Sequence, residues 1–154
     1  MRKHIAMMIG VSLLALATGS MAFAAEFGTA AEAEALVKKA IQVVKAEGKE
    51  KAFAEINNPK GKFVDRDLYI FVYDMDGKCV AHGFNQKMIG KELIEIKDSD
   101  GKLYVKERVE IAKTKGKGWQ DYKFTDPITK KIEPKSAYVE RVESLIVGCG
   151  VYKR

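Results

Sequence analysis

The spacing of hydrophobic positions changes twice along this chain, and each change marks a new kind of element. Thr29-Ala30-Ala31-Glu32 has the spacing of a capping box, in which hydroxyl and carboxylate each satisfy an amide at a helix start. Leu36, Ala40, Val43 and Val44 then recur on one helical stripe, which predicts a helix running until Gly48. A second short helix is predicted from Glu50 to Ile56, ended by the turn cluster Asn57-Asn58-Pro59-Lys60-Gly61. The pattern changes at Leu68-Tyr69-Ile70-Phe71-Val72-Tyr73, where every residue is apolar or aromatic, as in a strand covered on both faces. Asp76-Gly77 signals a two-residue hairpin turn, and Cys79 to His82 reads as the returning strand.

Residues 85–97 read as a connection with at most a short helix. Asp98-Ser99-Asp100 precedes a further helix carrying Tyr104, Val105, Arg108, Val109 and Ala112 and closed by Gly116. Three more strands are predicted, Trp119 to Thr125, Ser136 to Val142 and Leu145 to Tyr152. Two helices, a strand pair, one helix and three strands make an α+β domain with helices on one or both faces of a five-stranded antiparallel sheet.

The amino terminus follows another rule. Met1-Arg2-Lys3-His4 is a short positive start, Ile5 to Ala17 is apolar, and Ala22-Phe23-Ala24 carries small residues where a signal peptidase reads. Residues 1–24 are therefore expected to be a signal peptide, and the protein to be exported and periplasmic. An uncleaved anchor is the rival reading, but the apolar run falls short of the roughly 20 residues that a spanning helix needs. Residues 25–154 suffice for one well-filled core and not for two domains.

With 47% hydrophobic and 31% charged residues, the composition excludes disorder, collagen and a dense disulfide scaffold. Losing Arg2 and Lys3 leaves 25 basic against 21 acidic residues, and the lysines are scattered among carboxylates, so no nucleic-acid partner is expected. No later apolar run has spanning length and the chain stops at Tyr152-Lys153-Arg154, so no kinase, signalling rod or second enzyme domain is expected to follow.

The hairpin locates the candidate chemistry. A two-residue turn pairs Met75 with Lys78, Tyr73 with Val80, Phe71 with His82 and Tyr69 with Phe84. One face then carries Tyr69, Phe71, Tyr73, Val80, His82 and Phe84, and the other Leu68, Ile70, Val72, Cys79 and Ala81. On this register Cys79 and His82 point apart, which argues against a thiol nucleophile with its base. With His4 removed, His82 is the only histidine, and no Cys-x-x-Cys is present, so neither a metal site nor any other cofactor is expected. The repeated Asp-x-Asp-Gly-Lys at Asp74 and at Asp98 lacks the third acidic ligand and the closing glutamate of a calcium loop. Cys79 and Cys149 would be about 9–10 Å apart if the Leu68 strand lies between theirs, beyond the reach of a disulfide, so buried free thiols are expected.

Several segments together resemble the single Cache domain family of extracytoplasmic sensors. They are Tyr69-Ile70-Phe71-Val72-Tyr73-Asp74 with Asp76-Gly77, Ala81-His82, Ile89-Gly90-Lys91 and Asp98-x-Asp100-Gly101-Lys102. The second half adds Gly116-Lys117-Gly118-Trp119-Gln120-Asp121-Tyr122-x-Phe124-x-Asp126-Pro127, Pro134-Lys135-Ser136-Ala137-Tyr138-Val139 and Val147-Gly148-Cys149-Gly150-Val151-Tyr152. The resemblance implies a PAS-like fold with a long amino-terminal helix, a further helix before the third strand, and sheet order two, one, five, four, three. It also implies no enzyme but a module that holds one small organic molecule, often a short carboxylate. The chain looks like a free-standing exported member, whose partner would be a membrane-bound receptor or transporter. It departs from the family's usual pattern at Gly83, where a proline commonly follows the histidine, and at Phe124, where tryptophan is common.

A carboxylate site needs an apolar cleft, a few placed donors and one cation. The candidates are the Tyr69 and Tyr122 hydroxyls and the His82 imidazole as donors, Phe71 and Trp119 as walls, and Lys135 as the cation, with Arg66 in reserve. Gly148 and Gly150 leave one face of the last strand bare, where ligand atoms could approach the backbone. The competing expectation is a ligand-free structural or interaction protein of the cell envelope, in which the same aromatics are core and Lys135 is solvated.

Overall fold

The computed structural model describes residues 26–154, so the expected signal peptide lies outside the described residues. Helix α1 spans Ala30–Glu47 and starts at the capping box: the Thr29 hydroxyl accepts the Glu32 amide, and the Glu32 carboxylate accepts the Thr29 amide. Its buried stripe is Ala33, Val37, Ala40, Ile41, Val43 and Val44, with Leu36 at the margin. After Gly48, α2 covers Lys49–Ile56. Helix α3, Tyr104–Thr114, buries the stripe read from sequence, Arg108 included.

The strands are β1 (Val64–Asp65), β2 (Leu68–Tyr69), β3 (Phe71–Asp74), β4 (Cys79–His82), β5 (Lys117–Thr125), β6 (Ile132–Val142) and β7 (Leu145–Tyr152). The small β1–β2 ribbon was not anticipated and splits the predicted strand at Ile70, whose amide bonds to Phe63 instead. The other five strands form an antiparallel sheet ordered β4-β3-β7-β6-β5, the order that the resemblance implied. Helices α1 and α2 cover one face over Leu68, Ile70, Val72, Val147 and Cys149. Helix α3 and residues 85–97, with a 3₁₀ turn at Gln86–Met88, cover the other over Tyr69, Phe71, Tyr73 and Tyr122. No helix among the described residues is long and apolar enough to cross a membrane.

The hairpin corrects the predicted turn. Gly77 bonds back to the Asp74 carbonyl and Asp74 to the Lys78 carbonyl, so the loop has three residues, with Gly77 at φ 88° taking the left-handed position. Asp74 rather than Met75 thus faces Lys78, and Tyr73 pairs with Cys79. A bulge then restores the count, so Val72 meets Ala81 and Phe71 meets His82 as expected. The irregularity turns Cys79 into the aromatic layer and leaves Val80 packed against the aliphatic one, which reverses both assignments. Because β3 separates β4 from β7, Cys79 and Cys149 sit on strands two apart, and both thiols are free and buried.

Candidate functional site

Arg108 points from α3 into the aromatic layer and is 1% exposed. Its guanidinium carbon lies 4.2 Å from the Phe71 ring centre, 4.6 Å from Tyr122, 4.9 Å from Tyr104 and 5.4 Å from Tyr73, a cage of four π faces. Nε donates to Gln120 Oε1 at 2.9 Å. The Gln120 amide nitrogen in turn donates to the Tyr104 carbonyl and to Glu107, which fixes the amide's orientation and keeps its oxygen toward the arginine. Arg108 Nη2 is buried without a hydrogen-bond partner. Leaving such a donor unmade costs about 1–3 kcal/mol, so the position invites an acceptor.

Lys135 enters the same layer from β6 and is 0% exposed. Its ammonium donates to the Tyr69 hydroxyl at 2.7 Å and to the Tyr152 hydroxyl at 3.3 Å. Tyr152 donates onward to the Thr125 carbonyl at 2.7 Å. That carbonyl can only accept, so the chain runs outward from the lysine. Burial lowers the Lys135 pKa to about 7, and Arg108 adds to the lowering, while Cys149, Asp67 and Asp126 oppose it. Asp67 and Asp126 are both bonded to Arg154, and among the described residues neither Arg108 nor Lys135 forms an ion pair. Two buried basic groups thus share one layer without a directly bonded carboxylate among the described residues.

His82 completes the group. Its Nδ1 accepts the Phe84 amide at 3.2 Å and the Asn85 amide at 2.9 Å, which leaves the proton on Nε2 and makes the imidazole a donor. Its ring lies 5.2 Å from Tyr69, 6.1 Å from Phe124 and 6.3 Å from Phe71. Burial, then Lys135 and Arg108, depress its pKa to about 3. An unfolded chain takes up this proton near pH 6.5 and the folded one only near 3. Stability held above pH 6.5 is therefore lost on acidification at about 1.4 kcal/mol per pH unit across that window. Urea melts of wild type and His82→Gln between pH 7 and 4 should show a shallower slope in the variant. Equal slopes would mean that the imidazole is not held neutral.

A model of the family described as Single Cache domain 2 matches residues 25–154. The chain belongs to the single Cache domain 2 family. Cache domains of this kind are extracytoplasmic sensors that bind small molecules in chemotaxis receptors and histidine kinases, and this domain is related to them. It is 34% identical over 89 residues to the sensor histidine kinase MctS of Rhizobium johnstonii, matching 56% of this chain and 19% of the kinase. It is 29% identical over 90 residues to the methyl-accepting chemotaxis protein McpP of Pseudomonas putida, matching 57% of this chain and 16% of the receptor. The chain thus spans less than a fifth of either curated relative.

Among solved structures, a Cache chemosensory domain described for its recognition of carboxylic acids superposes with a TM-score of 0.69 at 27% identity, covering 80% of this chain and 92% of that one. A methyl-accepting chemotaxis protein from Vibrio parahaemolyticus superposes with a TM-score of 0.69 at 21% identity, covering 79% and 86%, and shows the shared fold.

Within this Cache domain the structure brings Tyr69, Phe71, His82, Tyr122 and Lys135 into one layer. Trp119 is a correction. Alternation along β5 turns Gln120, Tyr122 and Phe124 inward, whereas Trp119 is 41% exposed and packs on Tyr138, a residue of the aliphatic layer. Arg66, the reserve cation, bonds to Asp65, Glu32 and the Phe27 carbonyl near the start of α1. Gly148 and Gly150 admit protein rather than leaving the strand bare: a Cβ at Gly148 would fall within the Phe71 ring, and one at Gly150 would lie 2.7 Å from Lys135 Cε.

Cys79 shares a layer with His82, contrary to the parity argument, yet its chemistry is that of a core thiol. It donates to the Ala81 carbonyl at 3.6 Å, and burial pushes its pKa up to about 12, away from the thiolate. Arg108, Tyr104, Gln120 and Tyr152 escaped sequence reasoning as site residues. The available signal was a charge at a buried position of the α3 stripe.

Proposed function

We propose that this Cache domain binds a small organic anion, a short carboxylate, between Arg108 and Lys135, and works as a sensing module outside the cytoplasm. The observation that carries the reading is the pair of buried basic groups with no bonded carboxylate among the described residues, one of them with an unused donor. Arg108 Nη2 and the Lys135 ammonium would grip the carboxylate, His82 Nε2 and the Tyr122 hydroxyl would complete its donors, and Tyr69 would orient the lysine. Phe71 and Tyr104 would flank the hydrocarbon part. The solved Cache domain described for carboxylic acid recognition supports this ligand class.

The described residues are wholly taken up by the sensor fold. Occupancy would therefore be read by a membrane-bound receptor or transporter, or by a further part of a longer chain. Residues 1–24 would direct export, so periplasmic fractionation with amino-terminal sequencing should find a chain beginning at Ala25. A thermal melting screen with acetate, propionate, lactate and pyruvate, set against their neutral amides, tests the ligand. At 100 times its dissociation constant a bound acid adds about 2.7 kcal/mol of stability, and the amides should add nothing. No shift from either would favour a ligand-free envelope protein, and equal shifts from acids and amides would reject the anion reading.

A further inference from the structure

Phe124 is half-buried beside the buried basic groups, and Tyr104, 2% exposed, stands against it. The Phe124 ring centre is 5.7 Å from Lys135 Nζ and 6.1 Å from the His82 ring. Tyr104 lies 4.9 Å from the Arg108 guanidinium and stacks on Tyr122 at 5.1 Å. The two rings meet edge to face, 6.2 Å apart at 71°. Both also line a cleft of about 190 Å³, together with Ile96, Thr125 and Ile132. The Phe124 and Tyr104 residues therefore lie between that cleft and the candidate site.

Two neighbouring walls are firmly held. Beneath, the sheet is sealed where the Phe71 ring covers Gly148 and the Lys135 stem covers Gly150. On the α3 side, Gln120 is held by three hydrogen bonds. A ring can swing about its side-chain torsions with the backbone fixed, so the Tyr104–Phe124 contact is the passage that opens with least disturbance. Lys97 stands on the cleft rim, where the Lys123 ammonium is paired with Asp100 and the Asp98 carboxylate is engaged by the amides of residues 100, 102 and 123.

We propose that Tyr104 and Phe124 form a two-leaf gate between this cleft and the buried cations, and that the cleft receives the hydrocarbon tail of an acid too long for the closed site. This rests on the anion-binding reading for its ligand, not for its geometry. The cleft has room for about six groups the size of a water molecule, enough for the tail of a medium-chain acid.

Acetate and hexanoate serve as probes, with affinities from calorimetry and exchange rates from NMR line shapes, on wild type, Phe124→Ala and Ile132→Trp. Opening the gate with Phe124→Ala should speed acetate binding and release by about tenfold each, change its affinity by less than about threefold, and raise hexanoate affinity relative to acetate by about tenfold. Ile132 is 60% exposed, so Ile132→Trp should fold normally, narrow the mouth and slow exchange. Unchanged rates in both variants would overturn the gate.

A second readout works without any acid. Cys79 lies in the gated layer and Cys149 on the far side of the sheet, so neutral iodoacetamide should label Cys79 faster relative to Cys149 in Phe124→Ala than in wild type. An unchanged ratio refutes the gate even if acids bind. A raised ratio with no acid bound keeps the gate and rejects the anion reading.

Discussion

Replacing Arg108 with methionine is expected to abolish binding of short carboxylates while leaving the domain folded and little changed in heat stability. The guanidinium is always charged, buried among four aromatic rings, and paired with one neutral amide oxygen. In the empty protein its burial is offset only by the ring faces and the Gln120 oxygen, with no carboxylate bonded to it among the described residues. Methionine keeps much of the volume and removes the desolvated charge but leaves the Gln120 oxygen unmet, so these opposing effects should hold the stability change within about 2 kcal/mol. With an acid bound, the same group is a fully desolvated, charge-assisted donor, and truncating one costs about 2–5 kcal/mol of binding, a loss of roughly thirtyfold to several thousandfold. A large loss of affinity beside a small change in stability is the signature of a residue kept for a ligand. Calorimetric titration and thermal melts of Arg108→Met measure both. A variant that melts lower and binds as before would assign Arg108 to the core.

Uptake of an acid is expected to draw about one proton from solution above pH 7, and affinity is expected to fall about tenfold per pH unit there. In the empty protein burial holds Lys135 near a pKa of about 7, with phenols rather than carboxylates as its direct partners. A carboxylate placed beside it favours the ammonium and raises that value. Below pH 7 the lysine is already charged and affinity levels off; above it each bound acid must recruit the missing proton. Titrations in buffers of different ionisation enthalpy at pH 8.5 read the proton directly, and Lys135→Met should show neither uptake nor slope. Stability has its own sign. The unfolded lysine titrates near 10.5, so between about 7 and 10.5 the folded chain holds fewer protons, and stability rises with pH through that window. A wild type that binds acetate with no proton uptake at pH 8.5 would mean that Lys135 stays charged in the empty site.

Architecture was legible because it depends on period and turn chemistry. The Thr29 capping box, the α1 stripe and the sheet order need only local patterns and one resemblance. The hairpin shows where local rules stop. Asp76-Gly77 suits a two-residue turn, but the Asp74 carboxylate also accepts the Asp76 and Lys78 amides and stabilises a longer loop. One bulge downstream cancels the difference, so the pairing of Phe71 with His82 came out right while Cys79 and Val80 were interchanged. Within the site, strand alternation carried Tyr69, Phe71, His82 and Tyr122, since all four follow the pleat. Trp119 stands an odd number of residues from Tyr122 in one continuous strand, so the pleat alone sets the two rings on opposite faces. Arg108 was visible as an anomaly, a charge inside an apolar stripe, but its meaning depends on the absence of an acidic neighbour, which only three dimensions disclose.

The missing side chain at Gly148 has a consequence for the arginine above it. Phe71 rests its ring in the space that a methyl group would fill, directly below the Arg108 guanidinium. The floor height is thus set from the last strand, by a position that contributes no charge and no donor. A single methyl there would push the Phe71 ring toward the guanidinium, so this bare position governs how high the arginine sits without touching it.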